Sequence, residues 1–370
     1  MRIVYVLTSL GMGGAERQVL ALAGRMAQRG HTVALLILRP RLEHEWPTIL
    51  PVVPLQMRKT PASVLTGMAR ARGFLRGFQP DLLHSHSFHA NIVARLLKLS
   101  FPEAQILSTV HNVYEGGWPR MLAYRLTDGL SCRTTAVSEA AALRFVRLKA
   151  VPPRKCIVFP NGIDTTEFAP DAARRVRVRA EMNASEEFIW LAAGRIVPAK
   201  DYPNLLRAFA QVHASPSHSD ARLWIAGDAS GAHGSSLRAL AAELGLHESV
   251  RWLGLRRDLP ALFDAADGFV LASAWEGMPL AVGEAMAMEK PVVATDVGGV
   301  GELVGDAGVL VSPNRPDALA EALLQMMQTS RGERHKLGCV ARARIQTGFS
   351  MDARVEEWEA LYRTVLNNRS

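Results

Sequence analysis

Short apolar runs alternate with helix-like patterns along the whole chain. The first run, residues 3–7, is followed by a glycine-rich turn at 11–14 and by apolar positions at helical spacing through Met26. Comparable runs recur at 33–38, 82–84, 106–110, 134–137, 157–159, 188–192, 223–226, 269–272, 292–294 and 309–311. Because parallel neighbouring strands need a crossover between them, this alternation predicts an α/β fold with parallel sheets covered by helices.

The pattern breaks once, at Pro160–Asp164, before the charged stretch from Arg174 to Glu181. A chain of 370 residues exceeds what one hydrophobic core usually organises. We therefore predict two Rossmann-like domains, residues 1–165 and 166–350, whose parallel sheets face across a cleft. The segment 351–370 carries Val355, Trp358 and Tyr362 on one helical face and is expected to pack back toward the first domain.

Composition excludes several classes of protein. With 48% hydrophobic and 21% charged residues the chain is globular, and no apolar run approaches the roughly 20 residues that span a bilayer. Three distant cysteines, without a C-x-x-C pair, indicate neither a zinc site nor a redox site and favour a reducing, cytoplasmic compartment. His84, His86 and His89 lack a nearby cysteine or carboxylate to complete a metal site, and the third is expected in a loop.

Charge is unevenly distributed along the chain. Residues 1–170 contain 21 Lys+Arg against 10 Asp+Glu, whereas the remainder contains 22 against 25. A basic half favours an anionic partner, such as a phospholipid surface, a diphosphate-linked acceptor or nucleic acid, although it also serves solubility. The basic segments 57–59 and 70–76 fit either an anionic membrane contact or a solvated helix face.

The stretch from Ser273 to Ala287 is the most informative part of the sequence. Glu276 lies in a glycine-containing loop, Pro279 suits the first position of a helix, and Glu284 lies within that helix. The free N–H groups at a helix start bind phosphates or hydroxyl oxygens. An ionised carboxylate accepts two hydrogen bonds, which matches the paired hydroxyls of a ribose or a hexose.

The residues also leave two other functions open. Gly11-x-Gly13 follows a strand as in a dinucleotide-binding enzyme, but Glu16 stands where the third glycine belongs and Arg39-Pro40 replaces the acidic residue. An NADP-type oxidoreductase stays an alternative, because Arg39 stands where such enzymes have the arginine that accommodates the 2′-phosphate. A nucleic-acid-binding module is the other, although aromatic residues are only 6% of the chain and do not interleave with basic ones.

The spacing Glu276-Gly-x-Pro-x4-Glu284 resembles the E-x7-E signature of glycosyltransferase family 4. Further motifs resemble that family in the same order along nearly the whole chain, namely Gly13-Gly14-Ala15-Glu16, Val110-His111-Asn112, Asn161-Gly162-Ile163-Asp164, Gly194-Arg195 with Lys200, Trp252-Leu253-Gly254, and Gly298-Gly299 with Glu302. The sequence departs from the family where Lys200 is followed by Asp201 rather than glycine, and where Gly227-Asp228 continues with Ala229-Ser230.

The resemblance implies a GT-B fold and a retaining, metal-independent hexosyltransferase that uses a nucleotide-diphosphate sugar, with UDP favoured and GDP possible. Its acceptor would be a hydroxyl of a glycan or lipid-linked molecule in cell-envelope polysaccharide or glycolipid synthesis, with possible peripheral contact at the inner membrane face. A nucleotide-sugar 2-epimerase would share the fold and stays an alternative.

Carried over position by position, the resemblance also assigns roles to residues. It implies that Glu284 binds the donor ribose, that Glu276 contacts the hexose, and that Arg195 and Lys200 neutralise the diphosphate. His111 would act on a hydroxyl, with His86 and Asn112 on the acceptor side. The remaining donor-binding residues would be Gly13, Gly14, Gly194, Leu253, Gly277, Met278, Pro279 and Leu280.

Overall fold

The computed structural model describes residues 1–39 and 48–368, so Pro40 lies outside the described residues. The chain forms two compact units. Unit 1 contains Met1–Gly162 and Met351–Ser370, and unit 2 contains Ile163–Ser350. No described helix has the length and apolar character needed to cross a bilayer.

Unit 1 has a seven-stranded parallel sheet in the order β3-β2-β1-β4-β5-β6-β7. Its elements up to the last strand are β1 (Arg2–Leu7), α1 (Gly14–Gln28), β2 (Thr32–Ile37), β3 (Val52–Pro54), α2 (Pro61–Phe78), β4 (Leu82–His86), α3 (Phe88–Leu97), β5 (Gln105–Val110), α4 (Trp118–Thr127), β6 (Arg133–Ala136), α5 (Glu139–Arg147) and β7 (Cys156–Val158). The sequence pattern did not predict β3, because a three-residue edge strand that ends in proline has too few positions to show alternation.

Unit 2 has a six-stranded parallel sheet in the order β10-β9-β8-β11-β12-β13. Its elements are α6 (Ala172–Glu181), β8 (Ile189–Ala193), α7 (Tyr202–His213), β9 (Arg222–Ala226), α8 (Gly231–Glu243), β10 (Val250–Gly254), α9 (Leu259–Ala265), β11 (Gly268–Leu271), α10 (Leu280–Ala287), β12 (Val292–Thr295), α11 (Val300–Val304), β13 (Val309–Val311), α12 (Pro316–Gln328) and α13 (Arg331–Gly348).

The charged stretch after the break in the pattern forms helix α6. Its arginines pair with carboxylates at the end of α9 and beyond it, with Arg174 on Asp264 and Arg175 Nη2 at 2.6 Å from Asp267 Oδ1. A helix that is polar nearly all round can pack when its charges have partners of this kind.

The last helix, α14 (Met351–Asn367), belongs to unit 1. Trp358 and Tyr362 are buried with the apolar residues of β1 and α1, as their helical spacing predicts. The Tyr362 hydroxyl lies 3.1 Å from that of Tyr5, and Arg29 Nε donates to Glu359 Oε2 at 2.7 Å on the rim. The helix therefore completes the hydrophobic core of unit 1.

Both sheets have the strand order of a doubly wound fold, which reverses direction between β1 and β4 in unit 1 and between β8 and β11 in unit 2. At such a switch point the two flanking connections leave toward opposite sides, so the carboxyl ends of the strands open a crevice for a ligand. The α/β fold with two doubly wound parallel sheets, predicted from the sequence, is confirmed, and each sheet has its own crevice at the carboxyl ends of its strands.

Candidate functional site

In unit 2 the predicted donor residues follow the two strands at the switch point. Gly194 and Arg195 come directly after β8, and the loop from Ser273 to Glu276 comes after β11. A single 3-10 turn, Pro198–Lys200, follows the first of these segments. Two segments some 80 residues apart in sequence thus meet at the carboxyl end of the sheet, because β8 and β11 are hydrogen-bonded neighbours.

Lys200 and Glu276 form an ion pair, with Nζ at 2.7 Å from Oε1. The same carboxylate oxygen accepts a hydrogen bond of 2.7 Å from the Ser273 hydroxyl, and Glu276 is buried. The backbone joins the two segments as well, since the Ala274 N–H donates to the Ala199 carbonyl at 2.8 Å. A lysine ammonium has three N–H donors, so this pair leaves Nζ donors for an anion.

Tight backbone geometry holds Lys200 in place. Gly194 has a φ of +153°, and a Cβ there would lie 3.2 Å from Lys200 Cε. The Tyr202 hydroxyl donates to the Gly194 carbonyl at 3.3 Å. Asp201, which stands where the family usually has glycine, adopts a left-handed conformation with a φ of +44° and caps helix α7 through the Asn204 N–H. Aspartate tolerates this conformation better than most residues, so the substitution preserves the turn.

The loop that carries Glu276 is held by the segment after β12. Gly298 has a φ of +58°, and a Cβ there would lie 2.0 Å from the Glu276 carbonyl oxygen. The Gly299 N–H donates to the Gly277 carbonyl at 2.7 Å, and the Thr295 hydroxyl donates to the Ser273 carbonyl at 2.7 Å. Glycine at 298 is required both by its dihedral angle and by this close approach.

The start of helix α10 differs by one residue from the sequence prediction. Pro279 is not the first helical residue but the extended N-cap, with a ψ of 117°, and Leu280 begins the helix. Proline at either position leaves no backbone N–H unsatisfied, so the sequence signal does not separate them. Met278 and Glu284 are buried, with Glu284 only 4% exposed inside the helix.

Two predicted donor residues are less enclosed. Leu253 is half-buried near the end of β10, where the Gly254 carbonyl accepts a hydrogen bond of 2.9 Å from the Gly227 N–H. The Arg195 side chain is exposed and forms no hydrogen bond or ion pair with the described residues. The structure therefore brings Lys200, but not Arg195, into contact with Glu276.

In unit 1 the glycine loop precedes helix α1. Gly13 is the buried N-cap residue and Gly14 is the exposed first residue of the helix. The Gly13 N–H donates to the Gly11 carbonyl at 2.7 Å. A Cβ on Gly13 would lie 2.3 Å from Glu16 Oε2, so the glutamate of this motif folds back over the helix start.

The two histidines predicted for the acceptor side touch each other. His86 ends β4, His111 follows β5, and His86 Nδ1 lies 3.0 Å from His111 Nε2. Burial lowers the pKa of His111 to about 4 and lowers that of His86 well below its usual value, so both rings are neutral near pH 7. His86 Nε2 is buried without a hydrogen-bond partner among the described residues.

Asn112 and Glu115 shape the loop after His111. The Asn112 side chain accepts from the Tyr114 N–H at 3.1 Å, which closes a local turn. Glu115 Oε1 accepts from the His111 N–H at 3.1 Å, and Oε2 accepts from the Tyr124 hydroxyl at 2.6 Å. Burial raises the pKa of Glu115 to about 7 against the opposing effect of these hydrogen bonds and of Arg120.

His84 is buried in the core of unit 1. Its Nδ1 lies 2.7 Å from the Tyr362 hydroxyl, and its Nε2 lies 2.7 Å from Thr109 Oγ1, both within the core. His89 is not in a loop as predicted but on helix α3, exposed to solvent. Within the described ranges, the side chains spaced like metal ligands are Glu289, His335 and Cys339, not these histidines.

Comparison with known proteins places this arrangement in a family. A model described as "Glycosyltransferase Family 4" matches residues 12–167, and one described as "Glycosyl transferases group 1" matches residues 187–329. The chain belongs to glycosyltransferase family 4.

This family 4 glycosyltransferase is similar to named enzymes over most of its length. It is 26% identical to the UDP-Gal:alpha-D-GlcNAc-diphosphoundecaprenol alpha-1,3-galactosyltransferase of Escherichia coli, covering 78% of this chain and 76% of the relative. It is 28% identical to the D-inositol 3-phosphate glycosyltransferase of Kineococcus radiotolerans, covering 97% and 92%. Neither name describes an epimerase, an oxidoreductase or a nucleic-acid-binding protein.

A solved structure has the same fold. Anabaena Alr3699/HepE, in complex with UDP-glucose, superposes with a TM-score of 0.86 at 20% identity and covers 98% of this chain and 99% of that one. The predicted GT-B architecture is thereby confirmed.

Sequence reasoning missed several residues that build the sites of this glycosyltransferase. Ser273 lies inside the most informative stretch, and its position at the end of a buried strand was the available signal. Tyr202 and Glu115 form side-chain hydrogen bonds with Gly194 and His111 across short loops, and Tyr362, predicted only to pack, also contacts His84. No spacing rule predicts such contacts.

Proposed function

We propose that this family 4 glycosyltransferase transfers a hexose from a UDP-sugar, with retention of anomeric configuration and without a metal ion, to a hydroxyl of a glycan or lipid-linked acceptor. The observation that carries the proposal is the ion pair of the half-buried Lys200 with the buried Glu276 at the switch point of unit 2. It presents a cation beside a carboxylate, as a donor with a diphosphate and a sugar requires.

The donor is held by charges of both signs. Lys200 and the exposed Arg195 neutralise the diphosphate, one as a point charge and the other as a bidentate fork. Glu276 accepts from hexose hydroxyls while Ser273 and Lys200 hold its carboxylate in position. Glu284, on helix α10, accepts from the ribose hydroxyls. The helix start at Leu280 and the glycine loop at Gly13 add backbone donors.

A uridine donor is supported by names among the compared proteins. The Escherichia coli relative is named for UDP-galactose, and the Anabaena structure contains UDP-glucose. A GDP-sugar is the competing donor, and binding measurements distinguish the two.

The neutral histidine pair supports a role for His111 as a hydrogen-bond donor. If His111 donated from Nε2 to His86, the other nitrogen of His86 would carry a buried, unpaired N–H. An unpaired N–H is rarer in proteins than an unpaired acceptor, so His86 donates from Nδ1 to His111 Nε2. His111 then carries its proton on Nδ1 and donates it in a hydrogen bond to a substrate hydroxyl.

The acceptor is proposed to be anionic or linked to an anionic lipid. One relative is named for a diphosphate-linked lipid acceptor and another for inositol 3-phosphate, so both names include a phosphate. The excess of 21 Lys+Arg over 10 Asp+Glu in residues 1–170 suits such a molecule. Work at the inner face of the plasma membrane, in cell-envelope polysaccharide or glycolipid synthesis, follows from this acceptor.

Retention without a covalent intermediate requires attack on the face from which the diphosphate departs. The bond between the anomeric carbon and the phosphate oxygen breaks, the acceptor oxygen bonds to the same face, and the acceptor proton moves to the departing phosphate. Lys200 and Arg195 stabilise the negative charge that grows on that phosphate.

The test measures donor choice, stereochemistry and metal dependence together. The purified protein is incubated with UDP- or GDP-hexoses and a phosphate-containing acceptor, with and without EDTA, and the product linkage is assigned by NMR. We expect UDP release that depends on the acceptor, survives EDTA and accompanies a retained linkage. An inverted linkage, loss of activity with EDTA, or UDP release without transfer would contradict the proposal.

A further inference from the structure

Three large apolar side chains lie exposed along one side of helix α4. Trp118, Leu122 and Leu126 are 73%, 38% and 75% exposed. Residues four apart in a helix are neighbours on its surface, so the three form a continuous stripe. The opposite side of the helix is buried through Met121 and Tyr124. The fold of unit 1 accounts for that buried side, whereas the stripe stays exposed among the residues that the structure describes.

Helix α5 extends this surface. The rings of Tyr124 on α4 and Phe145 on α5 meet edge to face at 5.4 Å beneath it. The Arg144 guanidinium lies over the ring of Tyr114 at 5.9 Å, and Tyr114 is half exposed in the loop before α4. An exposed leucine, Leu143, follows on the outer side of α5.

The surroundings of the stripe are basic. Residues 114–155 contain 8 Lys+Arg and 3 Asp+Glu. Of the acidic residues, Asp128 is buried and lies 3.1 Å from Lys155 Nζ, and Glu115 accepts the hydrogen bond of Tyr124. The third acidic residue, Glu139, is exposed at the start of α5, but the exposed Arg125, Arg144 and Arg147 outnumber it, so the exposed charge beside the stripe is mainly positive.

We propose that Tyr114, Trp118, Leu122 and Leu126, flanked by Arg125 and Arg144, form a docking face for an anionic lipid bilayer. Apolar and aromatic side chains at the level of the headgroups, with arginines beside them, are the pattern of a helix that lies in the interface. A second copy of the chain fits the face less well, because a symmetric contact would bring like charges together.

This inference rests on the proposed function, since a lipid-linked acceptor would be met at the membrane surface. Helix α2 is also basic, with Arg70, Arg72 and Arg76, and has an exposed leucine, Leu65. Two of its three arginines are engaged within the fold, because Arg70 donates to the Leu55 carbonyl at 3.2 Å and Arg72 to Ser100 Oγ at 2.9 Å, whereas Arg76 is exposed. Helix α2 therefore serves as the matched control.

The experiment is flotation of the full chain with vesicles of phosphatidylcholine alone and of phosphatidylcholine with phosphatidylglycerol. We expect the protein to float with the anionic vesicles, and Trp118→Ser with Leu126→Ser to weaken binding more than about tenfold. Arg125→Glu should weaken binding by fivefold or more, since one lost basic residue is worth about fivefold and reversal adds repulsion. Leu65→Ser and Arg72→Glu should leave it unchanged.

Two results would overturn the docking face. The first is that the α2 variants lose as much flotation as the α4 variants. The second is that the wild-type protein does not bind vesicles but forms a dimer, and that Trp118→Ser dissociates this dimer. UDP-sugar affinity, measured without vesicles, should be the same in every variant. If the wild-type protein floats, the α4 variants do not, and no UDP-sugar binds, this inference stands and the proposed function is contradicted.

Discussion

The two switch points have the same strand order but different chemistry. In unit 2 the carboxyl ends of the strands carry a charged pair, where Lys200 Nζ and Ser273 Oγ both lie within hydrogen-bond distance of Glu276 Oε1. In unit 1 the carboxyl ends of the strands carry neutral rings, because burial disfavours the cationic form of His86 and of His111. A doubly wound sheet thus supplies the place of a site, and the residues after its strands decide what binds there.

The difference fits the two halves of a transfer reaction. A departing diphosphate gains negative charge in the transition state, so fixed cations stabilise the transition state more than the bound donor. The hydroxyl of the acceptor substrate changes charge little when it binds. It is best held by a neutral group that donates or accepts a hydrogen bond. Substitutions in each unit should therefore affect different kinetic constants.

The largest expected effect is on kcat, from removal of the cations of unit 2. Lys200→Ala should lower kcat by about a hundredfold to a thousandfold, as loss of a group that stabilises transition-state charge does. Arg195→Ala should also lower kcat but leave stability unchanged, since its side chain is exposed and unpaired among the described residues. Steady-state release of the nucleoside diphosphate measures both. Lys336→Ala, on the exposed face of α13, is the control, and an equal effect from it would refute the role of Lys200.

The next largest effect on kcat is expected from removal of the His111 imidazole, the proposed hydrogen-bond donor of unit 1. His111→Asn should lower kcat by about a hundredfold, while donor affinity stays near the wild-type value. His89→Asn changes an exposed histidine of the same unit and serves as the control. A loss of donor affinity without a loss of kcat would move His111 from the acceptor side to the donor side.

The buried carboxylate of α10 should affect binding rather than turnover. Glu284→Gln should weaken the affinity for UDP by about tenfold, the range for one hydrogen bond to a charged group. Calorimetric titration with UDP measures this, with Glu321→Gln, at an exposed position of α12, as the control. Unchanged affinity in Glu284→Gln would place the ribose elsewhere.

A smaller effect, on the free energy of unfolding, tests how the Glu276 loop is held. Gly298→Ala changes this loop's contact, and Gly231→Ala is the control. Gly231→Ala imposes a φ of +78° on alanine with nothing within 4 Å of its Cβ, which should cost about 1 kcal/mol. Gly298→Ala adds a Cβ 2.0 Å from the Glu276 carbonyl and should cost clearly more, with loss of activity. Urea unfolding measures both variants. Equal costs would mean that the loop yields and that Glu276 is not held rigidly.

The smallest effect is on the pH dependence of stability. The pKa of His111 is lowered to about 4, so between pH 4 and the unfolded value near 6.5 the unfolded chain binds more protons and stability falls as the pH falls. Glu115 acts oppositely, because its pKa is raised from 4.5 to about 7 and stability falls as the pH rises through that window. The slope between pH 5 and 6.5 should flatten in His111→Asn and steepen in Glu115→Gln. Urea unfolding at several pH values checks this, and parallel slopes in all three proteins would contradict it.

Most strands and the order of the motifs followed from local patterns. A buried parallel strand is a short continuous apolar run, and a helix start has its own residue preferences, so both are visible in a window of a few residues. Strand β3 and the one-residue shift at Pro279 were missed because such a window contains too little information there.

The amino-acid sequence by itself determined that parallel sheets form, that the pattern breaks at Pro160–Asp164, and that Glu276 and Glu284 flank a helix start. Those properties depend on residues close together in the chain. Only the tertiary structure decided that Lys200 pairs with Glu276, that Arg195 does not, and that His86 contacts His111. Such contacts depend on which strands become neighbours, and strand order is settled by packing of the whole sheet rather than by any local segment.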